Sequence, residues 1–351
     1  MADKKPKILV IGTGGAISAK VVKGEWKYGE IAEQELIEII PGIKEHFDAT
    51  ATNVFRMDSS DMKPEHWLTL ANTIYYKMGE YDGIVVTIGT DTMAYAATAI
   101  SFLIQNNNIP IVFTGSLIDP MQPNTDARRN LRDAITVAGK SDIAETVIVF
   151  NGQIMRAGRC KKSNASEFGA FTDFGKLPLG KIEQFANLRG EYRKKSKAKP
   201  ILFGKLENLV ATMKVYPGFD GKRIMHLVDF PVRGIVLEGF GLGNVPLLDN
   251  EIREGIKYAN KKNIPIVIAS NTPLGEYWQY IYGMEIGSRL KGLKVIPVYD
   301  MLPETAYVKL MWVLGQTQKF EEVKKMMQQQ YCGEIGKFDK NAKTLKSKAL
   351  K

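Results

Sequence analysis

The sequence predicts an α/β protein of two domains: a larger N-terminal domain built on a parallel sheet and a smaller C-terminal α/β domain. Three observations carry that expectation. At 351 residues the chain exceeds one ordinary compact domain and suits two. Short Val/Ile-rich runs alternate with helical patterns, the habit of parallel α/β chains. The polar, basic stretch from Gly190 to Pro200 interrupts the alternation, which then resumes.

In chain order, strands are expected over Lys7 to Ile11, Thr52 to Met57, Ile84 to Thr87, Ile111 to Thr114 and Thr146 to Asn151. Most are apolar almost throughout, as strands buried on both faces are. Helices are expected between them over Glu33 to Ile40, Pro64 to Lys77, Thr92 to Gln105 and Thr125 to Ala138. Ser60 or Asp61 stands ready to cap the Pro64 helix, and Asp126, before Arg128, the helix expected over Thr125 to Ala138. This places domain one at 1–190 and a linker at 191–206. Domain two, at 207–335, offers strands over Leu209 to Val215, Gly234 to Gly239, Ile264 to Ala269 and Lys294 to Val298. Its helices are expected near Asp249 to Lys261, Pro303 to Leu314 and Phe320 to Gln330, with a basic tail at 336–351.

Composition removes several function classes. No run of about 18 apolar residues exists, so no membrane-spanning helix is expected. The N-terminus lacks the apolar region and cleavage site of a secretory signal. Cys160 and Cys332 lie far apart and imply no disulfide framework, so a cytoplasmic protein is expected. His46, His66 and His226 form no cluster with ligand spacing, and no metal or organic cofactor is expected. The net charge of +10 is concentrated in Arg189 to Lys199 and Lys337 to Lys351. Neither stretch interleaves aromatics that would stack bases, so they read as solvated chain and no nucleic-acid partner is expected.

Ligands of open parallel sheets bind where strands end at their carboxyl side. The first such turn is Gly12-Thr13-Gly14-Gly15-Ala16-Ile17-Ser18, whose glycines let backbone N–H groups approach a ligand. It fails the dinucleotide spacing because Ile17 stands at the third glycine position, and Glu33 and Glu35 supply no clear ribose-binding strand. The second turn, Asp58-Ser59-Ser60-Asp61, either caps a helix or holds a small carboxylate. The third, Gly89-Thr90-Asp91-Thr92, sets a hydroxyl beside a carboxylate at the mouth of a helix, where a threonine could also serve only as the cap. Three successive strand ends carry hydroxyls, two of them beside carboxylates. Farther on, Lys161 and Lys162 read either as surface residues or as the cation that relays a proton from Thr90 with Asp91 orienting it.

These segments resemble the bacterial and archaeal L-asparaginases, most closely the cytoplasmic type, from Ile8 to about Glu334. The family's T-G-G-T-I-A corresponds to Thr13-Gly14-Gly15-Ala16-Ile17-Ser18, and its H-G-T-D-T-M to Ile88-Gly89-Thr90-Asp91-Thr92-Met93. The segments DSSDMKPEHW, TGSLIDPMQPNTDARRNL, VLEGFGLGNVP and LPETAYVKLMWVLG also look like the family's. The resemblance implies two α/β domains, the larger N-terminal one Rossmann-like and carrying most of the site. It implies hydrolysis of the side-chain amide of asparagine or a close analogue, releasing ammonia. By resemblance Ala16 occupies the nucleophile position; Thr90, Asp91 and Lys162 match the proton relay; and Tyr28, with Trp26 close by, matches a tyrosine that assists the nucleophile. Ser59 and Ser60 fall where the substrate's α-carboxylate is held, Asp91 receives its α-amino group, and Gly15 and Gly89 line the pocket. A homodimer or dimer of dimers is implied as well.

Ala16 departs from the pattern, since a methyl group cannot form an acyl-enzyme. Three accounts are open: a substitution that traps bound substrate, an enzyme that works through Thr90 on a shifted substrate such as a larger conjugate, or a catalytically silent amino-acid-binding or regulatory protein. Ile88 in place of histidine and Leu117 after Thr-Gly-Ser point to a lineage off the main asparaginases, and Ser270-Asn271-Thr272 in place of Thr-Gln-Cys implies that an effector site of the family does not carry over.

Overall fold

The computed structural model describes residues 4–175, 178–183, 186–241, 243–246, 251–272 and 292–336. The chain divides into two compact units, Met1–Asn208 and Leu209–Lys351. In the first, five strands are parallel: β1 (Lys7–Gly14), β2 (Asp48–Met57), β3 (Gly83–Thr87), β4 (Ile111–Thr114) and β5 (Thr146–Phe150). Three more extend the sheet antiparallel: β6 (Gln153–Arg156), β7 (Gly180–Ile182) and β8 (Ala186–Leu188). The order is β8-β7-β6-β5-β4-β3-β1-β2. The chain leaves β1 for β2 on one side and returns to β3 on the other, so the crevice at the carboxyl ends of β1 and β3 is a topological switch point.

Burial explains why the strands form where they do. β3, β4 and β5 are buried at every position, which is what their unbroken Val/Ile/Phe composition requires. The intervening helices are α1 (Glu33–Glu38), α2 (Pro64–Lys77), α3 (Met93–Leu103) and α4 (Ala127–Lys140). Apart from Tyr95, α3 is buried along its whole length, including Phe102 and Leu103 at 0% exposure. α4 turns Leu131, Ala134, Ile135 and Ala138 into the same core as Ile8, Val10, Val85 and Val147.

Two caps differ from expectation. Ser60 and Asp61 lie inside a short turn, Ser59–Asp61, that is capped by Asp58 through Ser60 N–H at 2.8 Å. α2 is instead closed by Lys63 N–H donating to His66 Nδ1 at 2.8 Å, with Pro64 at its first position. Asp126 precedes α4 without capping it; its carboxylate accepts from the N–H groups of Leu117 and Ile118 at 3.1 Å and pins the preceding loop.

The basic stretch that reads as linker is strapped along the first unit. Tyr192 Oη donates to Asp142 at 2.8 Å, Arg193 N–H to Glu145 at 2.7 Å and Lys195 N–H to the Asp142 carbonyl at 2.7 Å. Arg193 also reaches Ala144 O and Asn107 with its guanidinium. Ile201–Leu202 then pairs antiparallel with Ile104–Gln105. Arg193, read as solvated charge, therefore serves the Ala144 carbonyl, Asn107 and the Glu145 carboxylate. The basic tail from Lys337 onward lies outside the described residues.

The second unit carries a four-stranded parallel sheet in sequential order: β9 (Val210–Lys214), β10 (Gly234–Gly239), β11 (Ile266–Ser270) and β12 (Val295–Pro297). Among its described residues the helices are α5 (Lys222–Asp229), α6 (Glu251–Lys261), α7 (Pro303–Gln316) and α8 (Phe320–Gln328). The fold expected from the sequence is the fold observed, with α/β units in both halves. Among the described residues no helix is long and apolar enough to cross a membrane.

Candidate active site

The first turn is built by backbone geometry that only glycine tolerates. Gly14 and Gly15 hold φ of 102° and 78°, and Gly15 N–H donates to Met57 O at the end of β2, at 3.0 Å. A Cβ on Gly15 would collide with the backbone of Gly89, and one on Gly89 would lie 2.6 Å from Ser59 Oγ. The turns after β1, β2 and β3 are thus interlocked, Gly15 on Gly89 and Gly89 on Ser59. Side-chain bonds complete the joint. Thr13 Oγ1 donates to Thr87 O at 2.8 Å and Thr92 Oγ1 to Ser59 O at 2.7 Å, so Thr92 ties two turns together rather than capping α3.

Ala16 and Thr90 each follow one of the two glycines in contact, and both are partly exposed at the crevice. Lys162 arrives from the strand Cys160–Lys162, which pairs antiparallel with Phe171–Asp173. The turn ahead of that strand is anchored to α3, because Thr98 Oγ1 donates to Ala157 O at 3.1 Å. Lys162 Nζ consequently lies 2.8 Å from Thr90 Oγ1 and 2.6 Å from Asp91 Oδ1. Its side chain is 20% exposed while that of Asp91 is 62% exposed. The ammonium is shielded and its carboxylate partner opens to solvent, where a ligand's cation could reach it.

Tyr28 reaches the same place from the other side. Its hydroxyl donates to Asp58, and that bond, with partial burial and the nearby charges of Asp58, Asp91 and Asp61, pushes the phenol up to about 12. Burial pushes the Asp58 carboxyl up, but the bonds it accepts from Tyr28 and Ser60 and the charge of Lys162 outweigh it and hold it below the ordinary range. Ser60 Oγ also donates to Asp58, at 2.9 Å. Ser59 is buried and its side chain packs on Gly89; Ser60 is exposed.

The structure brings Gly15, Ala16, Tyr28, Ser59, Ser60, Gly89, Thr90, Asp91 and Lys162 together at or beside this crevice. What the sequence did not single out is Asp58 as the hub between Tyr28 and Ser60. A carboxylate opening Asp-Ser-Ser-Asp was the visible signal, but its tyrosine partner is remote in the chain. Among the described residues no group of three or more His, Cys, Asp or Glu side chains could hold a metal ion.

Comparison with known proteins assigns both units to one family. The family model for the N-terminal asparaginase domain matches residues 7–194, and that for the glutaminase/asparaginase C-terminal domain matches 209–327. The chain is 37% identical over 342 residues to a glutamyl-tRNA(Gln) amidotransferase subunit of Pyrococcus abyssi, covering 94% of this chain and 77% of that protein. It is 33% identical to the L-asparaginase of Thermococcus kodakarensis, covering 94% of this chain and 99% of the other. The solved structure of the thermostable L-asparaginase from Thermococcus kodakarensis superposes with a TM-score of 0.84 at 31% identity, over 94% of this chain and 99% of that one. L-asparaginase I from Vibrio cholerae gives 0.83 at 30% identity, over 95% and 99%. Fold and family together define an amidohydrolase-type enzyme. The chain belongs to the asparaginase family.

Proposed function

We propose that the crevice binds a small amino acid bearing a side-chain amide, asparagine first among them, and that Ala16 leaves the chain with its proton relay but without its primary nucleophile. The single observation that carries this reading is Lys162 Nζ bonded at once to Thr90 Oγ1 and Asp91 Oδ1. In the complete reaction, a hydroxyl at position 16 would attack the amide carbon. The C–N bond would break with a proton passed to the departing ammonia, and water would cleave the resulting ester. Thr90 and Lys162 would carry the proton, and backbone N–H groups of the glycine turns would stabilise the oxyanion. Asp91 would receive the substrate's ammonium, and Ser59 and Ser60 the region of its carboxylate. With a methyl at position 16, loss of turnover on the order of 10⁶ follows by comparison with hydrolases stripped of their nucleophile.

Restoring Ala16→Thr is the test. The variant is expected to release ammonia from asparagine, and the chain as it stands to bind L-aspartate with turnover at or near background. A variant inert towards asparagine, glutamine and larger amide conjugates would sink the enzymatic reading and leave an amino-acid-binding or regulatory protein.

A second reading is favoured by the 2.8 Å contact of Lys162 with Thr90, since a lysine at that distance can activate a hydroxyl. Here Thr90 would be the nucleophile, and similarity to a component of a glutamyl-tRNA amidotransferase suggests glutamine or a larger amide as substrate. Ammonia release by the unaltered chain that disappears in Thr90→Val would establish it. Family resemblance also supports a homodimer or dimer of dimers in the cytoplasm, which light scattering at micromolar concentration would check against a monomer.

A further inference from the structure

Beneath the first turn lies a buried acid that the relay does not use. Glu33 opens α1, is 0% exposed, and projects its carboxyl into the space where a Cβ of Gly12 would stand. In the sheet, Gly12 of β1 is paired with Asn53 of β2 on one side and Thr87 of β3 on the other. These three residues form one row across the three strands whose ends make the site. The Glu33 carboxyl sits on the middle of that row and bonds both flanks: Thr87 Oγ1 donates to Glu33 Oε1 at 3.4 Å, and the Asn53 side chain also hydrogen-bonds it.

We propose that Glu33 is a positioning residue of the amidohydrolase site, a buried clamp that fixes the mutual register of β1, β2 and β3 and hence the interlocked turns above them. The inference rests on the crevice being the ligand site. Three features make the clamp specific. Gly12 is required because any side chain there would expel the carboxyl. The row lies two residues before Gly14 on β1 and two before Gly89 on β3, so a shift at the row is passed directly into the turns. And Glu33 Oε2 is buried with no hydrogen-bond partner among the described residues, so ionisation would place charge on an oxygen that no protein donor serves.

Burial holds Glu33 above the ordinary glutamate range, against the bonds from Asn53 and Thr87 and the charge of Arg56. Arg56 on β2 is the charged group that faces it; Asn53 and Thr87 are uncharged, and β1 presents only the backbone of Gly12. Ionisation would strengthen the bonds Glu33 accepts from Thr87 and Asn53, but burial outweighs them, so the seat of the carboxyl beneath the first turn is most favourable while Glu33 is protonated and weakens as pH rises through its raised value in the folded chain.

Calorimetric titration of the full chain with L-aspartate across pH tests this. Wild-type affinity should fall at the upper end of the range, and Glu33→Gln, the same shape without the charge, should bind well and lose that fall. Glu33→Ala should weaken binding about tenfold through the bonds it deletes. Gly12→Ala alone should weaken it similarly, and the double variant G12A/E33A should recover part of the loss, since the new methyl then occupies the vacated space. Binding by Glu33→Ala equal to wild type, or a Glu33→Gln profile identical to wild type, would overturn the proposal. If the wild-type chain binds no aspartate, asparagine or glutamine, the functional reading has failed separately. Amide exchange at Gly15, Ser60 and Gly89 then decides: faster exchange in Glu33→Ala supports the clamp, and unchanged exchange overturns it.

Discussion

Lys162 shows how much chemistry one side chain can concentrate. Its ammonium is shared between a hydroxyl and a carboxylate, so replacing it with an apolar chain of similar reach should spare the fold and remove proton transfer. In the Ala16→Thr background, Lys162→Met is expected to lower kcat by roughly 10²–10⁴, the usual contribution of a positioned acid–base group, with KM little changed. Steady-state kinetics beside a circular dichroism spectrum would check it. Asp58 makes a prediction of opposite character. Its carboxyl is held below its ordinary value in the folded chain, so its stabilising contribution is present above that ordinary value and lost as pH falls through the lowered one. Asp58→Asn should accordingly flatten the acid limb of the stability profile, measured by urea unfolding at stepped pH. The residues of the proposed relay were readable because each sits in a local pattern. The bond from Tyr28 to Asp58 was not, because it joins residues from separate segments and no periodicity encodes it.

Among the elements, the interlocking of the turns is what converts a sheet into a site. Gly89 has no room for a methyl beside Ser59, and Gly15 has none beside Gly89. Gly89→Ala should therefore cost stability by about 1–3 kcal/mol, the range for overpacking, and weaken ligand binding with it. Thermal unfolding together with calorimetry would show whether the two losses travel together. The long buried strands and α3 were evident from their unbroken apolar runs. The antiparallel additions β7 and β8 were not, because each is three residues long and mixes polar with apolar side chains. In the second unit, the apolar helix α7 carries Lys309 at 0% exposure. Its ammonium bonds Glu334 at 2.6 Å and the carbonyls of Met327 and Gln329 at 3.0 and 2.6 Å. Removing one partner of such a buried pair strands the other, so Glu334→Leu should destabilise by about 3–5 kcal/mol, and adding Lys309→Met should restore part of it. Denaturant unfolding of the single and double variants would measure both. A lysine in the middle of an apolar helix announces that a partner exists, but not where in the chain it lies.

For the molecule as a whole, alternation of strand and helix with an interruption near Gly190 was enough to expect two α/β units. Where one ends was harder to read, because a charged segment looks the same whether it swings in water or is bonded to loop carboxylates, as Arg193 and Tyr192 are. The family follows from matched turns, and one position departs from its motif: on the proposed function the chain keeps the relay and pocket of an amidohydrolase and carries a methyl at Ala16, where a nucleophilic hydroxyl would act. The most direct test of that account is ammonia release from L-asparagine by the unaltered chain and by Ala16→Thr, assayed side by side. The account predicts background for the first and turnover raised by several orders of magnitude for the second. Equal rates in the two proteins, whether both high or both at background, would contradict it.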